Sequence, residues 1–190
     1  MSRLSHLLRN PSIQYLLLFA VVALALFSVL ATPWAERMFT KPFTQALVEV
    51  SAGLLGPFDG RVQASGDILH FSDGLGAVQV LAGCNAVEVC ALLTAAILAF
   101  PGKLKYGLIG AAAGVLALQT VNLARIISLL YLSRGSPEVF EFFHNYVWDA
   151  LIGLEGLLIF FFWTRWQARR EASGPKGDLQ PPPDGSPVIA

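Results

Sequence analysis

Four stretches of this chain are apolar for long enough to cross, or nearly cross, a lipid bilayer. No other feature limits the fold as strongly. Ile13 to Ala31 is the first, closed by Thr32-Pro33. At 1.5 Å per residue its about 19 residues cover the ~30 Å of hydrocarbon. A cleaved signal peptide would need a small-residue processing site after a shorter apolar run, and Ala31-Thr32-Pro33-Trp34 is a poor one. The other stretches run over about 84–100, ending at Pro101-Gly102, then 103–133 and 142–166. The second is short unless its helix starts near Gly83. A chain that is 55% apolar and 14% charged has far too much hydrophobic content to be disordered. Runs of this length also argue against a small soluble enzyme. Lys+Arg and Asp+Glu balance at 13 each, so no basic surface recommends nucleic acid as a partner. Two cysteines are too few for a disulfide scaffold or a Cys-rich zinc site, and no metal or cofactor is expected.

The expected fold is therefore an all-α integral membrane protein with four transmembrane helices and the lipid bilayer as its solvent. Lys/Arg bias orients it. Arg3 and Arg9 precede the first span, Lys103 and Lys105 separate the second from the third, and Arg165, Arg169 and Arg170 close the fourth. With four spans all three clusters fall on one side, which is the cytoplasmic side, and both termini lie there. The segments facing outward carry more acidic than basic residues. Residues 1–170 form the polytopic domain. Residues 171–190, rich in Pro, Gly, Asp and Ser, read as a disordered cytoplasmic tail.

The outer-face segment 32–83 is more than a loop. Phe43, Leu47, Val50 and Leu54 recur at helical spacing, which predicts an amphipathic helix from Phe43 to Leu55 at the interface or over the bundle. Short β-prone stretches follow at Arg61–Gln63, Asp67–Phe71 and Ala77–Leu81. Ser65-Gly66 and Ser72-Asp73-Gly74 punctuate them and predict a small β-hairpin.

Ionisable and nucleophilic residues in such a chain mark function by default. Cys84 lies about 17 residues before Pro101, ~25 Å from the inner surface along a helix. Arg125 lies about 22 residues after Lys103, ~33 Å up, and His144 about 21 residues before Arg165, ~32 Å up. Three helices of alternating direction thus carry a thiol, a guanidinium and an imidazole to one level, the outer boundary of the bilayer. Together they can transfer an acyl group. A thiolate attacks a carbonyl carbon, a histidine takes the thiol proton and returns it to the leaving amine, and a fixed cation stabilises the oxyanion. A helix N-terminus at Cys84 would favour the thiolate.

Each residue also has a plain reading. A single cysteine in a membrane helix is commonly a packing residue, an arginine near a span end snorkels, and His144 can be interfacial beside Tyr146 and Trp148. Idle snorkelling suits Arg125 poorly, because the mainly apolar stretch Ile126–Ser133 follows it. Cys90 reads as structural: on a helix it sits ~9 Å along and on another face from Cys84, too far to bridge. Glu88, one helical turn from Cys84, either pairs with Arg125 or packs as a neutral acid. Asn122 shares a face with Arg125, where it can orient the guanidinium or donate to an oxyanion. Glu155 either joins a proton path or hydrogen-bonds Gln119 or Thr120. His70 in the hairpin competes with His144 as the base.

Gly83-Cys84-Asn85-Ala86, Asn122-Leu123-Ala124-Arg125 and Phe143-His144-Asn145, each at the outer end of a separate span, resemble the exosortase/archaeosortase family. In that order and spacing they cover roughly Gly76 to Arg170. The resemblance implies a polytopic cysteine enzyme with Cys84 as nucleophile, Arg125 as transition-state stabiliser and His144 as acid/base. Asn85, Asn122, Asn145 and Glu88 are the supporting positions. Asn85 stands where larger members often have Ser. Four spans look more like the compact exosortase H type, associated with Ile-Pro-Thr-Leu signals, than the many-span members. The implied substrates are exported proteins with a C-terminal motif, a transmembrane segment and a basic end, cleaved near the motif through a thioester. An unknown acceptor receives the new carboxyl end where transpeptidation occurs. The implied location is the bacterial cytoplasmic (inner) membrane, with the active site facing the periplasm or outside. Three other readings stay open. A non-catalytic assembly subunit would make Cys84 a spectator. A small proton or anion transporter would place its sites at the midplane. A thiol oxidoreductase would need a closer cysteine pair.

Overall fold

The computed structural model describes residues 10–172. Arg3, Arg9 and the expected tail beyond Ala172 lie outside the described residues. Helix α1 (Pro11–Leu30) opens on Asn10, whose side chain accepts from the Ser12 amide at 3.0 Å, and Pro11 fills the first helical position. It packs on the later helix Val87–Ala99. Leu16, Val21 and Leu24 face outward, as lipid contact requires.

Thr32 caps a short helix α2 (Pro33–Ala35), which continues through a π-helical turn (Glu36–Thr40) into α3 (Lys41–Leu55). The expected amphipathic helix is present, but its buried stripe is rotated. Thr44, Leu47, Val48, Ser51 and Leu55 are buried, whereas Val50 and Leu54 are about half exposed. Two hydroxyls make the difference. Thr44 donates to the Thr40 carbonyl at 2.8 Å and Ser51 to the Leu47 carbonyl at 2.7 Å, so both residues enter the core with their polar groups satisfied.

The expected hairpin is in fact a three-stranded antiparallel meander: β1 (Val62–Ser65), β2 (Ile68–Phe71) and β3 (Ala77–Gln79), in that order. Val62 pairs with Phe71, and Leu69 with both Ala64 and Val78. Buried Val62, Leu69, Phe71 and Val78 form one core with Leu47 and Val48 of α3 and with Ile126, Leu129 and Leu130. The third strand forms because the turn before it is well determined. Gly74 takes φ +74°, and the Asp73 carboxylate accepts from the Leu75 amide at 3.0 Å and pairs with Arg134. The Leu75 amide first, then Arg134, hold the Asp73 carboxyl below its ordinary range. Arg134 also lies 4.0 Å over the Phe71 ring, which ties the sheet to the bundle.

Helix α4 (Val87–Ala99) is shorter than the second run suggests. Ala86 adopts a left-handed φ of 56°, which breaks the helix below Cys84. Thirteen residues reach only ~20 Å, less than the hydrocarbon thickness. Among the described residues, three helices are long and apolar enough to cross a membrane: Pro11–Leu30, Leu104–Leu132 and Pro137–Arg170. The second of these is α5 (Leu104–Leu132). The third joins α6 (Pro137–Phe142), a π-helical turn (Phe143–Val147) and α7 (Trp148–Ala172) into one rod. It begins earlier than expected because Ser136 caps it and Pro137 starts it. The protein is thus mostly helical, with a small sheet.

Helices α4, α5 and α7 pack on one another around Cys90, Leu93, Ile97, Leu118, Ile152 and Trp163. At the basic end, Arg170 lies over the rings of Tyr106 and Trp166, and Gln167 donates to the Pro101 carbonyl at 2.9 Å. Tyr15 meets Phe100 there as well. The start of α1, the α4–α5 turn and the end of α7 therefore share one end of the bundle, and the sheet caps the other. Close packing depends on glycine. A Cβ on Gly110 would sit 2.0 Å from the Trp163 indole nitrogen, whereas one on Gly114 meets a movable Leu93 methyl at 2.8 Å. Gly110→Ala is expected to cost about 2 kcal/mol by overpacking, and Gly114→Ala less. Thermal unfolding in detergent checks the order, and equal midpoints for the two variants would contradict it.

Candidate active site

The turn Gly83–Ala86 carries the nucleophile candidate, and each residue in it has a structural task. Gly83 takes φ +86°, a conformation open to glycine without strain. Ala86 takes φ 56° and is 1% exposed, so the strained position is also one where only a small side chain fits. Asn85 is fully buried. Its side-chain oxygen accepts from the Val87 amide at 3.1 Å, and its amide nitrogen donates to Thr44 Oγ1 of α3 at 3.0 Å. Its carbonyl accepts from Gln119 Nε2 at 3.0 Å, and Asn122 Nδ2 donates to Gln119 Oε1 at 3.3 Å. A buried polar chain thus runs from α3 through the turn into α5 and fixes the backbone beside Cys84.

Cys84 precedes α4 rather than lying on it, which corrects three expectations. The thiol is not in the helix's first turn, so the dipole argument loses its geometry. Glu88 is not one turn below Cys84 on a shared face. The separation from Cys90 is not set by helical rise, although both cysteines are free. Cys84 is partly accessible, and its Sγ lies 3.8 Å from His144 Nε2. These residues are 60 positions apart in the chain. The distance suits a sulfur hydrogen bond, and apo sites are often loose by this much.

His144 sits within the π-helical turn of the α6–α7 rod. Such turns shift the side-chain register and are frequent at functional sites. The His144 ring stacks on Phe140, with centroids 5.7 Å apart, and buried Nδ1 has no partner. Asn145, on the same turn, is exposed and takes no part in the network. His70 stays in β2, its ring nitrogens set against Ser65 Oγ at 3.2 Å and the Phe71 carbonyl at 3.3 Å. The imidazole beside Cys84 is that of His144, not that of His70.

Arg125 is 3% exposed. Its carboxylate partner is Asp149, at 2.9 Å, and not Glu88. Sequence reading missed Asp149. Its position five residues after His144 does not by itself show that it meets Arg125. Arg125 Nε has no partner, and Asn122 turns its amide to Gln119 rather than to the guanidinium. Glu88 borders a cavity of about 500 Å³ beside the turn, with Glu36, Lys41 and Asp67. Its Oε2 is unpartnered. Glu155 Oε2 is likewise unpartnered: Gln119 is spent on Asn85 and Cys90, and Thr120 bonds the Leu116 carbonyl of its own helix. Buried Cys90 accepts from Gln119 at 3.5 Å and packs in the bundle core.

The arrangement puts a thiol and an imidazole in contact at the capped end of the bundle, with a buried guanidinium anchored to the helix that bears the imidazole. Those groups can form and resolve a thioester. The family model for transmembrane exosortases matches residues 7–164, most of the chain. Comparisons with curated proteins and with solved structures each found no match.

Proposed function

The chain belongs to the transmembrane exosortase family, and from that premise we propose that it is a sortase-like cysteine protease or transpeptidase acting on C-terminal sorting signals. The contact between Cys84 Sγ and His144 Nε2 carries the reading. His144 takes the thiol proton as sulfur attacks the scissile carbonyl carbon. Arg125 stabilises the resulting oxyanion. Collapse breaks the C–N bond, the leaving amine takes the proton from His144, and a thioester remains on Cys84. Water or an acceptor nucleophile then attacks that carbonyl and gives its proton to His144; the C–S bond breaks, and the Cys84 thiolate takes the proton back from His144.

The topology in this reading is four crossings with both termini cytoplasmic. Helix α4, completed by the turn above it, makes the second crossing. Lys103, Lys105, Arg165, Arg169 and Arg170 at one end supply the positive-inside bias. The site then opens outward from a bacterial cytoplasmic membrane. A substrate's own span docks along the bundle and its basic end stays inside. Asn85 and Asn122 hold the nucleophile's turn, and Asn145 and Glu88 remain available to the substrate.

Membranes bearing the protein test this with an exported protein that ends in an Ile-Pro-Thr-Leu motif, a span and a basic tail. The expected product lacks the span and tail, and added hydroxylamine leaves a C-terminal hydroxamate by intercepting the thioester. Release of the tail with no hydroxamate would rule out the acyl-enzyme.

A further inference from the structure

We infer that Asp149 is a positioning residue, holding the Arg125 guanidinium in place so that its Nε–H is free for the reacting carbonyl. The inference rests on the proposed function. Three observations carry it.

A guanidinium that is 3% exposed needs a counter-charge. Asp149 Oδ1, 2.9 Å from a terminal nitrogen, is the carboxylate that supplies it. The bond joins the outer part of α5 to the first turn of α7, directly after the π-helical turn that bears His144. The two proposed catalytic side chains are thereby kept in register by one contact.

The contact uses one end of the guanidinium. Arg125 Nε–H stays buried without a partner, and a buried donor left unpaired is costly unless something else binds it. A carbonyl oxygen gaining charge is such a partner. Asp149 is itself 61% exposed at the protein surface, so it meets the guanidinium from the outer side of the rod and through one terminal nitrogen.

The third observation concerns the imidazole. In a Ser-His-Asp arrangement the carboxylate orients the histidine. Here His144 Nδ1 has no partner and the ring is held by stacking on Phe140. The carboxylate of this site serves the cation and not the base.

The test compares purified full-length wild type, Asp149→Asn, Asp149→Glu, Arg125→Gln and the double variant Arg125→Gln/Asp149→Asn on the same substrate, with unfolding temperature measured alongside. Asp149→Asn should lower kcat by about 10²-fold, the usual effect of a misplaced catalytic group, with KM within about twofold. Asp149→Glu should recover to within about tenfold of wild type. The double variant should be no slower than Arg125→Gln, because Asp149 acts through Arg125. It leaves no unpaired buried cation, so it keeps the comparison available if Asp149→Asn fails to fold. A wild-type kcat in Asp149→Asn, or a further loss in the double variant, would overturn the role. Failure of the proposed function reads differently, as processing that survives Cys84→Ala.

Discussion

Cys84→Ala is expected to abolish processing while leaving the fold intact. Removing the nucleophile of a concerted site costs on the order of 10⁴-fold or more, because the remaining groups have no covalent step to assist. Stability should barely change. Cys84 is only partly buried and lies in the turn outside helix α4. The backbone there is held by Asn85, through its bonds to Thr44, Val87 and Gln119, and not by the thiol. Cys90→Ala is the matched control: it deletes a sulfur of the bundle core, should cost about 1 kcal/mol, and should keep processing. A thiol-reactive probe should label Cys84 in preference to buried Cys90. Quantitative immunoblotting of the shortened substrate gives the rates. Processing that survives Cys84→Ala at more than a few per cent of wild type would remove the cysteine mechanism.

The long helices were legible because hydrocarbon thickness is a length requirement that a sequence either meets or does not. The meeting of Cys84 and His144 at one end of the bundle was legible in outline for the same reason, since helical rise converts residue number into depth. Rotation and local breaks were not. Nothing in the apolar pattern of α3 announces that Thr44 and Ser51 go inside, because their hydroxyls are neutralised by their own helix. The left-handed φ at Ala86 is invisible in an alanine, yet it moves Cys84 off the helix and undoes the helix-dipole, Glu88-face and Cys90-spacing expectations. The meander followed from a third pairing, whose turn is fixed by the distant Arg134. Asp149 was overlooked because a carboxylate near a span end reads as interfacial. Only the folded chain shows which cation it meets.

That partnership makes the loss of Arg125 different in kind from the loss of Cys84. Arg125→Gln is expected to slow processing by about 10²–10³-fold, equivalent to ~2.7–4 kcal/mol of barrier, as when an oxyanion donor is removed. Arg125→Lys should recover little, because an ammonium lacks the rigid fork that reaches Asp149 and the site together. The stability effects should be unequal. Without Arg125, Asp149, 61% exposed at the protein surface, is free to turn outward or to take a proton, so the folded state loses one tie between α5 and α7 and little more. Without the Asp149 charge, a guanidinium that is 3% exposed is left uncompensated, and breaking a buried pair from that side costs ~3–5 kcal/mol at its upper limit. The exposed partner places this pair below that limit. Thermal unfolding of Arg125→Gln and Asp149→Asn in the same detergent should therefore rank the arginine variant as the more stable and the slower enzyme. The opposite ranking in stability would mean that the guanidinium is not isolated from water, and with it would go the dry site that an oxyanion-stabilising arginine needs.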